Sequence, residues 1–270
     1  MTRWSIVTKK SYYIDILPGD LDKGSPYRFD DDGVIMTKIP YTQNYHYHVT
    51  SIASYILSKN KKRYIGDNIK WLIENIDDGC YHHSFVFPFY PMTQGWVGGL
   101  AQALATSALV RYGYQDEAEL VWNCLKKHCY NGTSIEEYPG VEILNGWIYG
   151  IFASLDIGDT EFYNENISHL EERLKYYDLG RWSRYDNVDG FPSSLFYHKV
   201  HIKQLSALID ISKDVSFKKH IKEIVDRWKS YNLFTLYMNR LVRYHMILKK
   251  HGMIDTYRRY KKRHRWNTGC

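Results

Sequence analysis

The stretch LAQALATSALVRYG, residues 100–113, followed by QDEAELVWNCLKKHC, residues 115–129, decides the fold class. The first segment reads as a helix that Gly113 ends, and the second as the helix that follows, so the two form a pair joined by a tight connection. The pattern repeats on the C-terminal side. The loop NGTSIEEYPG (131–140) precedes a helix over 144–155, and Asp159 or Thr160 caps one reaching about Lys175. An irregular stretch from Asp178 to Ser194 then precedes helices over 200–211, 214–231 and 233–250.

On the N-terminal side, helical period begins at His46. Ile52, Ala53, Ile56 and Leu57, then Ile65, Ile69, Leu72, Ile73 and Ile76, recur at three- and four-residue steps and predict two helices. Residues 11–43 differ: Pro, Gly and Asp punctuate the short apolar stretches YYIDIL and GVIMTKI, which reads as strands and turns forming a hairpin. The expected organisation is a β-hairpin region over 1–45, a helical catalytic domain over 46–231, and a C-terminal helix with a basic tail over 232–270. Helix pairs separated by long Gly-, Trp-, Tyr- and Pro-bearing loops suggest a mainly α fold of the α/α toroid type, an incomplete barrel of helical hairpins whose loops line a groove at one end.

With 270 residues and 44% hydrophobic content, the chain can bury a core without disulfides or metals. The four cysteines (80, 124, 129 and 270) match neither a zinc spacing nor a small-domain disulfide framework and read as thiols. The opening MTRWSIVTKK lacks a signal-peptide pattern, and no later stretch approaches the roughly 18–20 apolar residues of a membrane span. The expected location is cytoplasmic, peripheral to the membrane if the tail binds lipid.

The formal charge of +6 is concentrated at the end: YRRYKKRHRW (257–266) holds six Lys or Arg and no carboxylate. Such a run is either a solvated tail or a contact for an acidic glycan or an anionic membrane surface. No nucleic-acid motif accompanies it. Ahead of it, Leu233, Leu236, Tyr237, Leu241, Val242 and Ile247 make an apolar stripe, expected to pack on the helical domain or on a second copy in a homodimer. No P-loop, GxGxxG, HExxH or GxSxG pattern is present, and neither a metal nor a cofactor is expected.

Several motifs stand in order along the chain: PMTQGWVGGLAQALATSALVR (91–111), IEEYP (135–139), ILNG (143–146), RYD (184–186), FYHKVHIKQL (196–205) and RWKSY (227–231). This series resembles the C-terminal catalytic domain of the D-glucuronyl C5-epimerases of heparan sulfate and heparosan biosynthesis. The resemblance implies an α-helical toroid preceded by β structure, and an isomerase converting D-glucuronate residues to L-iduronate. It also implies Glu137, Tyr138, Tyr185 and Tyr197 as the chemical centre and Asn145 as a substrate ligand, although an Asn there equally suits a helix cap.

The chemistry asks for a base, an acid across the sugar ring, and groups that stabilise charge growing on the uronate carboxylate. Glu137 and Tyr138 lie in a loop before a helix, and a partly desolvated Glu137 would exchange protons near neutrality. A tyrosine of ordinary pKa costs roughly 4 kcal/mol to use as a base at neutral pH, so cations are expected beside Tyr185 and Tyr197. The local candidates are Arg181, Arg184, His198, Lys199 and His201, with Arg184 or Arg181 also able to clamp the carboxylate. The family's arginine after its YDL is replaced here by Asn187 and Val188. Trp96 and Gln102 are candidate sugar contacts or else packing residues. A uronate lyase begins with the same proton abstraction, a glycoside hydrolase would pair Glu137 with Asp186, and a non-catalytic glycan-binding protein would use the same groove.

Overall fold

A computed structural model describes residue 13 and residues 25–39, 44–58, 63–87, 90 and 92–267, with side chains described through residue 250. It is mainly helical, with a small N-terminal sheet. The sheet has three antiparallel strands, β1 (Tyr27–Phe29), β2 (Ile35–Lys38) and β3 (Tyr45–Tyr47). Thr37 of the central strand faces both Tyr27 and His46. The expected hairpin therefore gains a third strand, and His46 belongs to it, so helical structure begins three residues later than its period suggests. The expected strand over YYIDIL lies outside the described residues except Tyr13, whose ring stacks on Tyr149 with centres 5.7 Å apart.

Four helical hairpins follow. They are α1 (Val49–Leu57) with α2 (Ile65–Glu74), α3 (Gly99–Arg111) with α4 (Gln115–His128), α5 (Leu144–Ile157) with α6 (Thr160–Arg173), and α7 (Leu195–Ile211) with α8 (Val215–Lys229). Within each hairpin the two helices pack together, and α1, α3, α5 and α7 also pack successively side by side. The odd-numbered helices thus form an inner row and the even-numbered helices an outer one. Burial follows this division. Almost every residue of α3 and α5 is buried, whereas α4 buries Ala118, Val121, Trp122 and Leu125, and α8 buries Phe217, Ile221, Ile224, Val225 and Trp228. That is the single apolar stripe of a helix with one face in water.

Polar groups fasten the rows. Asp159 caps α6 by accepting from the Phe162 amide at 3.1 Å, and its other oxygen accepts from Trp122 Nε1 and Lys126 Nζ of α4. The buried Arg111–Asp156 pair, 3.0 Å, joins α3 to α5. Asn68 on α2 accepts from the Ile35 amide and donates to the carbonyls of Gly33 and Tyr64, which pins the sheet to the helices.

Two features depart from the reading of the sequence. α7 begins at Leu195, five residues earlier than its apolar period suggests, because Ser194 caps it by accepting from the Tyr197 amide. Tyr197 and His201 therefore sit on a helix. Second, Cys80 and Cys124 form a disulfide, with Cα atoms 5.5 Å apart, that ties the turn after α2 to α4. The expectation of thiols at these positions is corrected. Spacing rules test cysteines near one another in sequence, and this pair is 44 residues apart. Cys129 is a free, buried thiol, pushed up to about 12 by burial and the nearby Glu136.

The last helix, α9 (Leu233–Asn267), is a continuous 35-residue element that includes the backbone of the basic run. Much of its apolar stripe is exposed, with Leu233 84% exposed and Tyr237, Leu241 and Val242 also exposed, whereas Leu236 and Ile247 are half-buried. Among the described residues no helix is long and apolar enough to cross a membrane.

The disulfide yields a stability test. Closing a loop of this length restricts the unfolded chain by about 4 kcal/mol in the chain-entropy description. Urea unfolding of Cys124→Ser should show a loss of about 2–4 kcal/mol, and reductant should lower the wild type toward the variant.

Candidate functional site

The site is built on a short hairpin of β4 (Glu136–Tyr138) and β5 (Val141–Glu142) between α4 and α5. Glu136 pairs with Glu142 and Tyr138 with Val141, so Glu137 sits where the register shifts. Such a bulge re-aims a side chain, and here it turns the Glu137 carboxylate inward. Glu136 instead supports the loop, accepting from the Gly140 amide and from Asn131.

Two glycines admit this hairpin. A Cβ on Gly146, in the first turn of α5, would stand 2.6 Å from Glu137 Oε2, and a Cβ on Gly99, at the start of α3, would collide with the Glu136 carbonyl and Ile135. The hairpin backbone and the Glu137 carboxylate therefore lie directly against two inner helices. Asn145 Nδ2 approaches Glu137 Oε2 at 3.5 Å, and the Tyr138 hydroxyl donates to the same carboxyl group.

Glu137 is 6% exposed. Burial pushes its carboxyl up to about 8, against the opposing pull of the Tyr138 hydrogen bond. The Tyr138 and Tyr185 phenols are both pushed well above the ordinary value, first by burial and then by neighbouring groups that include Glu137 and Tyr197. The Tyr185 and Tyr197 rings meet with centres 4.7 Å apart, and Tyr90 stacks on Tyr138 at 4.6 Å. Glu137, Tyr138, Tyr185 and Tyr197, separated by up to 60 positions in sequence, thus form one cluster with Tyr90 added.

A cavity of about 360 Å³ opens on this cluster. Its walls include Glu137, Tyr138, Asn145, Tyr197 and Trp96 on the helical side, and Thr37, Lys38, His48 and His83 on the side of the N-terminal sheet. Trp96 donates its indole N–H to the Phe85 carbonyl and turns its ring toward Tyr138 and His83. Tyr185 stands behind Tyr197.

The other expected ligands lie elsewhere. Gln102 is fully buried and clamps the backbone of Tyr81, accepting from its N–H and donating to its C=O. His201 is fully buried, its Nδ1 bonded to the Ser183 hydroxyl at 2.9 Å. His198 stacks on Trp182. Its Nδ1 accepts from the Ser183 amide, which leaves Nε2 to donate to the Trp228 carbonyl. Burial pushes His198 down to about 4 and His201 down to about 3, so neither supplies a positive charge at neutral pH. Arg181 is exposed, Arg184 lies along the loop beside Gly190, and Lys199 is exposed. None of these residues lines the cavity.

Arg243 of α9 provides a cation that the motifs did not indicate. It lies 5.9 Å above the Tyr185 ring and donates to the Pro192 carbonyl, and its charge partly opposes the rise that burial and nearby carboxylates impose on the Tyr90 phenol. Tyr90, Lys38, His48 and His83 were also missed. Arg243 sits in LVRYH of a terminal helix, and the others lie ahead of the best-matched motifs, so no local pattern marked them. Among the described residues no group of three or more metal-ligating side chains occurs.

Comparison with known proteins bears on the segment that builds this geometry. Residues 121–230 match the family model described as "D-glucuronyl C5-epimerase C-terminus". In this segment the chain is similar to that family. It contains Glu137, Tyr138, Asn145, Tyr185 and Tyr197, whereas Trp96, His83 and Arg243 lie outside it. The family's name points to epimerase chemistry. The chain is also 27% identical to the protein named "Uncharacterized protein MJ1128" of Methanocaldococcus jannaschii, over 56% of this chain and 58% of that protein. The chain thus matches little more than half the length of this curated relative.

The electrostatics predict a measurable pH dependence. Because the folded protein holds the Glu137 proton above the unfolded value of about 4.5, raising the pH from there through about 8 costs folding stability that is intact below that range. Glu137→Gln should remove this component. Denaturant midpoints of the two proteins should diverge in favour of the variant between pH 5 and about 8.

Proposed function

We propose that the protein is a C5-epimerase that converts D-glucuronate residues of a polysaccharide or lipid-linked glycan to L-iduronate. The observation that carries this reading is the buried Glu137, hydrogen-bonded to Tyr138 and lining one cavity together with Tyr197, within the segment that matches the epimerase family. The inner row of helices reads as part of an α/α toroid, with the cavity at the end where its connecting loops gather.

In the reaction a base takes the C5 proton, the electron pair moves onto the adjacent carboxylate to give an enediolate, and an acid returns a proton to the opposite face of C5. Glu137 is the group suited to be the base, since its carboxyl, pushed up to about 8, changes protonation near neutral pH. The raised phenols favour tyrosine as donor, and Tyr197 is assigned to the opposite face. Asn145 orients Glu137 and the sugar. Arg243 supplies positive charge toward the Tyr90–Tyr185 end, where the uronate carboxylate is placed.

In deuterated water, uronate recovered from wild-type reactions should carry deuterium at C5, with a rate that rises toward pH 8. Glu137→Gln and Tyr197→Phe should each lower exchange by about 100-fold or more without changing polymer binding. Ultraviolet-absorbing unsaturated uronate with chain shortening would make the protein a lyase instead. New reducing ends without unsaturation would make it a hydrolase, and wild-type exchange absent on every uronate polymer would overturn the proposal.

The proposed partner of α9 is an anionic surface, a role supported by the exposed apolar residues of its first half and the basic run in its second. Removal of residues 255–270 should weaken sedimentation with phosphatidylserine vesicles at low salt, and the difference should shrink as salt rises. Equal binding by both forms would discard this role.

A further inference from the structure

The loop that carries Tyr185 is a closed unit. Its two arms are paired, the Tyr185 amide donating to the Phe191 carbonyl and the Ser193 amide to the Ser183 carbonyl, both at 2.8 Å. Its tip is gathered by one carboxylate oxygen, Asp186 Oδ1, which accepts from the amides of Val188, Asp189 and Gly190. A loop tied in this way moves as one piece, so a contact made at its tip or on its return arm is felt at Tyr185.

α9 makes both contacts. Arg243 Nη1 donates to the Pro192 carbonyl of the return arm at 2.7 Å, and Lys250 Nζ pairs with the Asp189 carboxylate at the tip. Lys250 also stands 6.0 Å from the Phe191 ring. Arg243 and Lys250 are two helical turns apart, so they share one face and are separated by about 10 Å along the axis. The half-buried Leu236, Asn239 and Ile247 lie on that face, whereas Phe234, Tyr237 and Leu241 on the other side are exposed. The direction of α9 is therefore set by what this one face touches, and two separated points on it meet a single loop.

That direction matters to the site. The Arg243 guanidinium lies 5.9 Å above the Tyr185 ring, and the interaction between charges weakens with distance, so a swing of α9 away from the loop would carry its charge away from the site. Neither Arg181 nor Arg184, the basic residues of the loop region itself, lines the cavity. One hydrogen bond to a carbonyl leaves a helix free to pivot; the second contact, Lys250 on Asp189, fixes its angle.

We propose that Lys250 and Asp189 are positioning residues: their ion pair pins α9 to the tip of the Tyr185 loop and so holds the Arg243 guanidinium over the reacting end of the site. The clamp itself is a matter of geometry, whereas its effect on catalysis rests on the epimerase reading above. The pair joins a residue inside the segment that matches the epimerase family to one beyond it.

Lys250→Gln and Asp189→Asn, made in the full-length protein, each remove the pair with little change of size. A partly exposed pair adds little to stability, so urea midpoints should stay close to the wild-type value. Amide hydrogen exchange read by mass spectrometry should instead quicken by about 10-fold in peptides covering 185–192 and 236–250. The kcat for C5 deuterium exchange on a uronate polymer should fall by about 10-fold while KM changes little, because the charge is misplaced and not removed. Lys250→Arg, which keeps the charge, should retain both the protection and the rate. Unchanged protection in Lys250→Gln and Asp189→Asn would overturn the clamp. Lost protection with an unchanged kcat, or an equal loss of kcat in Lys250→Arg, would overturn the positioning role. A wild type without C5 exchange, combined with lost protection in the two variants, would overturn the epimerase reading and the catalytic role with it while the clamp stands.

Discussion

The rest of the site depends on one buried carboxylate, that of Glu142. It is 1% exposed and accepts from Arg173 at 2.9 Å, from the Tyr177 hydroxyl and from the Ser134 hydroxyl. Its backbone N–H donates to the Asn187 side chain, and its carbonyl accepts from the Asn187 amide. A single residue therefore binds the β4–β5 hairpin to α6, to the turn after it, and to the segment that carries Tyr185. A buried charge is costly unless paired and fully hydrogen-bonded, and this one is satisfied by groups from three parts of the chain. Those partners hold the hairpin in which Glu137 follows Glu136, the cross-strand partner of Glu142.

Around that junction, desolvation is the common electrostatic influence. It raises the carboxyl of Glu137 and the phenols of Tyr138 and Tyr185, and it lowers the imidazoles of His48, His83, His198 and His201. Every one of these shifts favours the neutral form. Burial disfavours the Glu137 carboxylate relative to its protonated form, so the ionised carboxylate holds a proton taken from C5 more strongly than an exposed one would. It also moves the question of activation from tyrosine to glutamate: nothing in the cluster lowers the Tyr138 or Tyr185 phenol enough to make it a ready base, and a tyrosine that keeps its proton is a donor.

Much of the architecture was legible because helices announce themselves by local rules. The period of Ile52 to Leu57, the stop at Gly113 and the cap at Asp159 all act within a turn or two of chain. The errors arose where distant groups set the outcome. Ser194 extended α7 backward to include Tyr197, cross-strand pairing claimed Tyr45–Tyr47 for the sheet, and the fold brought the turn after α2 to α4, and so Cys80 to Cys124. The motif residues Glu137, Tyr138, Asn145, Tyr185 and Tyr197 were recognisable because their neighbours in sequence form patterns. Gln102 and His201 lie in patterns just as good, yet one clamps a backbone and the other is buried against Ser183, because helix periodicity alone does not say which inward-facing residue reaches a cavity.

By itself, then, the sequence determined a chain of helical hairpins, the loop that carries the glutamate, and the family resemblance of residues 121–230. These depend on short-range propensity and on contiguous motifs. Only the tertiary structure decided that the Glu137 carboxylate is desolvated against Gly146, that Arg243 from the last helix stands over Tyr185, and that Thr37, His48 and His83 from the N-terminal third complete the cavity. Desolvation and charge proximity are properties of space. Residues more than 50 positions apart acquire them together only when the inner helices pack, and no local pattern in the chain records that event.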